Sequence, residues 1–187
     1  LQKWDGVTLV TDSMLDTDVA KSVSSKYKIG WLLECRDINP TSYNTFNSWK
    51  DNYDFVLTYD SQLLSQYPEK TKLYNFGGSW IKENNYGLYD KTKNISMIYS
   101  EKNMTEGHRL RHQIASLVES GVDLLGKGTP NPIKTKEDGL IDYRYSIVIE
   151  NVSLDNYFTE KLIDCLMVGT IPIYWGCPNI SNYFDTD

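Results

Sequence analysis

The order of apolar segments along the chain constrains its fold more than any other feature. Short strand-like runs alternate with helical or polar connectors, which is the spacing of βα units that build a parallel sheet. The runs are residues 7–10, 29–33, 55–59, 95–99, 122–125, 145–149 and 171–175. After the fourth run, Leu110, Ile114 and Leu117 share one face of an amphipathic helix. The sequence therefore predicts an α/β fold.

The chain is expected to divide into two Rossmann-type α/β halves. We predict an N-terminal domain at residues 1–85 and a C-terminal domain at residues 86–187. The polar, glycine-containing stretch 82–93 is the candidate linker between them. The second half ends soon after its most informative segment, so we expect this domain to be incomplete and the chain to be a fragment or a minimal reading frame.

Composition argues against several classes of protein. The 187 residues carry a formal charge of −6, which disfavours general affinity for nucleic acid or an anionic membrane. No apolar run approaches the roughly 18 residues of a membrane helix, so we expect a soluble chain. Cys35, Cys165 and Cys177 form neither a metal motif nor a complete disulfide set. The last two are expected to be buried thiols, which favours the cytoplasm over a secretory lumen; the oligomeric state stays open.

The most informative segment is residues 145–176, which follows the pattern strand, polar loop, helix, strand. Ligands of open α/β sheets bind at the carboxyl ends of strands, where such loops lie. Lys161 falls in the first turn of the helix, where a cation opposes the helix dipole by ~0.3–1 kcal/mol. A bound anion would compensate for that, and the free N–H groups of the same turn would attract it. The alternative is a solvated lysine that reaches away from the helix.

A second cluster of cations occurs at residues 108–112, HRLRH, near the predicted start of the amphipathic helix. Together the two clusters suggest a diphosphate pocket, since arginine is suited to bidentate phosphate contacts. The alternative is ion pairing within the helix, for instance between Arg109 and Glu106. We expect Arg111 to be a surface ion-pair partner of that kind.

Residues 150–161, with the pattern EN-x5-Y-x-TEK, precede an apolar helix and the sequence GTIPIYWG. This order resembles the donor-binding signature of glycosyltransferase family 10, the α-1,3-fucosyltransferases. Ile149 stands where the family usually has phenylalanine, a small change in packing. The resemblance covers residues 95–185 well and residues 27–81 only loosely.

The resemblance implies a set of donor-binding residues. Arg109, Asn151, Tyr157 and Lys161 would hold the diphosphate and sugar of GDP-fucose, and Glu160 would bind the ribose hydroxyls. Glu150, which opens the motif, is included among the donor-binding residues. The family also implies a GT-B fold, with two Rossmann-type domains facing a cleft, and a reaction that needs neither a metal nor another cofactor.

In this family the acceptor hydroxyl displaces GDP with inversion at the sugar, so the expected partners are a nucleotide sugar and a glycan. Arg109 and Lys161 would stabilise the departing diphosphate. A carboxylate of the N-terminal domain would take the acceptor proton, and Glu34 at the end of the second strand-like run is the first candidate. Asp37 is the second candidate. Alternatively, Glu34 is solvated or paired with Arg36.

Other readings of the sequence compete with this one. The Asp-Thr-Asp triplets at residues 16–18 and 185–187 resemble the metal-binding motif of other glycosyltransferases. Neither follows a strand able to anchor a metal, so we expect no metal site. The same scaffold could use another nucleotide sugar, or it could bind a nucleotide or glycan without turnover.

Overall fold

Each half of the chain folds around its own parallel sheet of four strands in the computed structural model, which describes residues 4–118 and 120–186. The two compact units are Leu1–Asn75 and Phe76–Asp187. Both sheets are parallel throughout. The predicted α/β class with parallel sheets is therefore confirmed.

The first unit has its strands in the order β1-β2-β3-β4. They are β1 (Trp4–Thr11), β2 (Ser25–Trp31), β3 (Phe55–Thr58) and β4 (Thr71–Leu73). Its helices are short: α1 (Asp18–Ser22), α2 (Pro40–Asn44), α3 (Phe46–Trp49) and α4 (Ser61–Gln66). The core between sheet and helices is rich in aromatic residues, and Trp49 at its centre is completely buried.

The second unit has the strand order β6-β5-β7-β8. The strands are β5 (Lys93–Ile98), β6 (Val122–Leu125), β7 (Tyr143–Ile149) and β8 (Ile171–Trp175). The connecting helices are α5 (Glu106–Leu117) between β5 and β6, and α6 (Glu160–Met167) between β7 and β8. Because the chain moves from β5 to one side and then returns to the other, the strand order reverses between β5 and β7.

The stretch predicted to be a linker packs on the second unit. Lys91 donates hydrogen bonds from its ammonium group to the carbonyls of Ile141 and Val168, at 2.8 and 2.7 Å. Further upstream, Asp164 of α6 accepts bonds from the Ser79 hydroxyl and the Trp80 backbone N–H, both at 2.7 Å. The boundary between the compact units consequently falls before residue 76, inside the predicted first domain.

All three cysteines are free and buried, which confirms the expectation for Cys165 and Cys177. Within residues 4–118 and 120–186, no helix has both the length and the apolarity to cross a bilayer. Two residues of the first Asp-Thr-Asp triplet make local structural contacts: Asp16 pairs with Lys21 at 2.8 Å, and Thr17 caps α1. Asp187 of the second triplet lies outside the described residues.

The buried indole of Trp49 provides a test of the first unit. Its Nε1–H donates to the Ser42 carbonyl at 2.9 Å, so truncation removes both packing and a hydrogen bond. We expect Trp49→Ala to lower the free energy of unfolding by about 3–5 kcal/mol in denaturant titrations. Trp4→Ala, at a side chain that is 60% exposed, should change it by less than about 0.5 kcal/mol. Equal effects of the two variants would contradict the assignment of this core.

Candidate functional site

The candidate site lies in the second unit, where the strand order reverses. α5 begins after the carboxyl end of β5, and α6 begins after the carboxyl end of β7. The N-termini of both helices therefore adjoin the crevice in which open α/β sheets bind their ligands. The motif at residues 150–161 forms the loop from β7 into α6, so the sequence signature and the topological site coincide.

Glu150 organises this loop from a completely buried position. One carboxylate oxygen accepts the backbone N–H of Thr159, and the other accepts the Thr159 hydroxyl, both at 2.7 Å. The Lys161 ammonium lies 3.4 Å from the same carboxylate. Since both oxygens are engaged and enclosed, Glu150 fixes the start of α6 and has no surface to offer a ligand.

Lys161 is held at the N-terminus of α6 by two carboxylates. Besides Glu150, Glu160 lies 3.3 Å from the ammonium, and the Thr159 hydroxyl accepts from it at 2.9 Å. Burial lowers the pKa of Lys161, but the charges of Glu150 and Glu160 outweigh this effect and raise it above its ordinary value. The lysine therefore stays charged beside the helix N-terminus, and it is not a solvated side chain.

Arg111 does not lie where the sequence predicts. It is buried, and the prediction that it is a surface ion-pair partner is therefore wrong. Its guanidinium donates to the Ile149 carbonyl and, at 3.1 Å, to the side-chain oxygen of Asn151. Both acceptors are neutral, and no carboxylate within the described part of the chain forms an ion pair with Arg111. Burial lowers its pKa.

Arg109, two residues earlier, is exposed, and no ion pair joins it to Glu106 among the residues described. The buried residues of α5 are Gly107, His108 and Arg111. Gly107 and Arg111 are four residues apart and share the face that packs on the end of β7. This i, i+4 relation is the sequence signal that could have distinguished Arg111 from Arg109.

Gly107 allows α5 to approach the motif this closely. Its backbone N–H donates to the Asn151 carbonyl at 2.9 Å. A Cβ at position 107 would lie 1.7 Å from the carbonyl oxygen of Glu150, which is far below any contact distance. Only glycine fits there.

The remaining motif residues differ in their exposure. Asn151 is half-buried and bonded to Arg111, while the side chain of Glu160 is 20% exposed. Tyr157 is only 2% exposed. Burial raises the pKa of Glu160, but Lys161 and Lys136 overcome this effect and the net shift is downward, so the carboxylate is ionised. Asn151, Glu160 and Lys161 are exposed enough to contact a ligand, whereas Tyr157 is buried and supports the loop.

Lys136 and Asp164 are neighbours of the site that the sequence reading did not identify. With Lys161 and the backbone of β7 they line a cavity of about 30 Å³, the size of a single water molecule. One carboxylate oxygen of Asp164 has no hydrogen-bond partner within residues 4–118 and 120–186. Lys136 follows two prolines in an irregular loop, so no periodic pattern signals its position.

His108 also lies at this crevice, as part of the N-terminal cap of α5. Thr105 accepts the backbone N–H of His108, while the His108 ring lies 2.9 Å from the Thr105 hydroxyl. Burial and the nearby charges of Arg111, Lys102, Lys161 and His112 lower the pKa of His108 to about 4. The imidazole is therefore neutral at neutral pH.

The candidate base belongs to the first unit. Asp12 accepts the backbone N–H groups of Leu33 and Glu34, at 2.9 and 3.1 Å, and so fixes the chain after β2. The side chains of Glu34 and Asp37 are exposed. Arg36 forms a bidentate pair with Asp60, at 2.8 and 3.0 Å.

Comparisons with known proteins support the family resemblance of the motif at residues 150–161. The model of the family described as glycosyltransferase family 10 (fucosyltransferase), C-terminal part, matches residues 88–186. An α-(1,3)-fucosyltransferase of Helicobacter pylori is 40% identical over 53 residues, covering 28% of this chain and 11% of that protein. For α-(1,3)-fucosyltransferase B of Drosophila melanogaster the identity is 43% over 44 residues, 24% of this chain and 10% of that protein.

GDP-fucose protein O-fucosyltransferase 3 of Bos taurus is 34% identical over 61 residues, 30% of this chain and 13% of that protein. The matched part of the chain thus spans only 10–13% of the length of these relatives.

The contact between Gly107 and Glu150 can be tested by adding one methyl group. In a helix, alanine is ordinarily favoured over glycine by up to ~1 kcal/mol. Here the clash with a backbone oxygen should dominate, and we expect Gly107→Ala to destabilise the fold by about 1–3 kcal/mol. The control is Gly77→Ala, where the new Cβ meets no atom within 4 Å. Denaturant titration measures both, and a stabilised Gly107→Ala variant would contradict the close packing of α5 on the loop.

The neutral state of His108 predicts a dependence of stability on pH. Because its pKa falls from 6.5 to about 4 on folding, the unfolded chain binds more protons between these values. Folding stability should therefore decrease as the pH falls from 6.5 to 5, by up to about 1.4 kcal/mol per pH unit. The slope should flatten in His108→Gln and persist in His112→Gln. Denaturant titrations at several pH values measure it; the same slope in both variants would exclude His108 as its source.

Proposed function

The chain belongs to glycosyltransferase family 10, and on that premise we propose that it transfers fucose from GDP-fucose to a hydroxyl of a glycan, with inversion at the anomeric carbon. The proposal assigns the donor to the crevice between the N-termini of α5 and α6, and the acceptor to the first unit. It also includes a GT-B arrangement of the two units.

The observation that carries the proposal is the buried guanidinium of Arg111. It bonds to two neutral oxygens beside the first turns of two helices. The charges of Glu150 and Glu160 act on Arg111, but neither carboxylate is among its ion pairs in the described part of the chain. A buried charge without a contacting partner is costly, and a bound anion would supply that contact. Lys161 would bind the same anion, and the dipoles of both helices would favour a negative charge near their N-termini. A diphosphate matches this arrangement, since it offers several oxygens to separate donors.

The proposed donor contacts follow from charge, exposure and position at the crevice. Arg111, Lys161 and Asn151 would bind the diphosphate and sugar, and Glu160 would accept hydrogen bonds from the ribose hydroxyls. Arg109 stays a candidate contact, because its exposed side chain lies on the second turn of α5. Glu150 and Tyr157 would shape the loop without touching the donor.

In the proposed reaction, an oxygen of the acceptor forms a bond to the anomeric carbon while the bond to the diphosphate breaks. The bonding electrons leave with GDP, so negative charge grows on the diphosphate. Arg111 and Lys161, fixed in place before the reaction, would stabilise that charge in place of a metal ion. Glu34 would take the acceptor proton, which contributes typically ~10²–10⁴-fold to such rates.

A hydroxyl on a protein is the second candidate acceptor. It is favoured by the relatives named GDP-fucose protein O-fucosyltransferase 3, two of which are 34% and 35% identical to this chain over 61 and 48 residues. Another nucleotide sugar as donor would need the same diphosphate contacts. Both alternatives leave the roles of Arg111 and Lys161 unchanged.

Calorimetric titration with GDP and GDP-fucose in the presence of EDTA tests the donor site. We expect both ligands to bind the wild type, and Lys161→Ala to weaken binding at least about tenfold, or ~1.4 kcal/mol. Lys93→Ala is the matched control. Lys93 begins β5, at the amino-terminal end of the strands of the same sheet. Its ammonium forms an exposed ion pair with Asp142 and lies 5.1 Å from the centre of the Tyr143 ring. Binding that requires Mn²⁺, or that is indifferent to Lys161, would refute the proposed site.

A further inference from the structure

The ring of His108 is buried, and one of its two nitrogens lacks a hydrogen-bond partner among the described residues. Its side chain is only 4% exposed, yet within residues 4–118 and 120–186 the Nε2 atom has no hydrogen-bond partner. Nε2 is also absent from the fully enclosed polar atoms that lack a partner. It therefore keeps some contact with solvent.

The other ring nitrogen fixes the tautomer. Nδ1 accepts the backbone N–H of Thr105 at 3.3 Å, and a backbone N–H can only donate. Nδ1 consequently carries no proton in the neutral ring. The proton is on Nε2, which makes that atom a hydrogen-bond donor.

The charges that act most strongly on His108 are positive. They belong to Arg111 and His112 of α5, Lys102 of the preceding loop and Lys161 of the first turn of α6. Because burial and these charges lower the pKa of the ring, a base that accepts a proton is disfavoured here. A donor N–H among several cations is instead suited to an anionic ligand.

We propose that His108 is a further donor-site residue, whose Nε2–H donates a hydrogen bond to the diphosphate of the nucleotide sugar. This inference rests on the proposed function, because it assigns the ligand to the same crevice. The bound diphosphate would also change the balance of charge around the ring. With an anion beside it, the imidazolium becomes more favourable, so binding of the donor should raise the affinity of His108 for a proton.

The two-histidine composition of the chain makes a direct test possible. In His112→Gln, every imidazole signal in the nuclear magnetic resonance spectrum belongs to His108. GDP-fucose is the probe, because its diphosphate has no ionisation near neutral pH. We expect the Nε2–H tautomer in the free protein, and a titration midpoint at least about one unit higher when GDP-fucose is bound.

A substitution tests the same contact by affinity. His108→Ala removes the ring and with it the donor at Nε2, while the Thr105 hydroxyl can still accept the backbone N–H of residue 108. We expect it to bind GDP-fucose about tenfold more weakly than His112→Ala, the matched control.

The outcomes separate this inference from the proposed function. If the wild type binds GDP-fucose while the His108 signals do not change and His108→Ala binds as tightly as His112→Ala, the contact is refuted and the donor site stands. The same holds if the free ring proves to be protonated on Nδ1. If the wild type binds neither GDP nor GDP-fucose, the proposed donor site fails and the role of His108 fails with it.

Discussion

The buried carboxylate of Glu150 is the interaction on which the rest of the site depends. It joins the end of β7 to the first turn of α6 through Thr159, and it holds the ammonium of Lys161 beside that turn. A carboxylate can be enclosed in this way because every oxygen is bonded and a cation is adjacent. The loop that results places Asn151 and Lys161 at the same crevice, and its geometry permits no larger residue at Gly107.

The charged side chains at this crevice differ in whether a carboxylate contacts them. This difference supports the proposed anion site. Lys161 has carboxylates in contact, whereas Arg111 has only neutral oxygens, and His108 stays neutral under the influence of its cationic neighbours. A site that balanced all its charges internally would gain nothing from an anion. Arg111 has no contacting carboxylate among the described residues, although the charges of Glu150 and Glu160 act on it; if the proposed anion binds there, binding and stability would be linked.

The sequence can locate the loop that carries the motif, but it cannot assign a role to each residue in that loop. The pattern at residues 150–161 located the loop, because its residue types and spacing are specific. It did not distinguish residues that meet the ligand from those that support it: Glu150 and Tyr157 are almost fully buried, while Glu160 is partly accessible. Arg109 and Arg111 are two positions apart, and in a helix such residues point in nearly opposite directions. Choosing between them requires knowing which face of α5 packs on β7.

The sequence by itself determined the α/β class, the parallel sheets and the loop that carries the motif, because periodicity and turn residues act over short distances. It could not determine the packing of residues 76–92 on the second unit, or the proximity of Lys136 and Asp164. Those contacts join residues far apart in the chain, such as Trp80 with Asp164. They arise only when the sheet and its helices are assembled. The tertiary structure alone decided that Arg111 is buried at the crevice while Arg109 is exposed, because that difference depends on how closely Gly107 lets α5 approach the loop after β7.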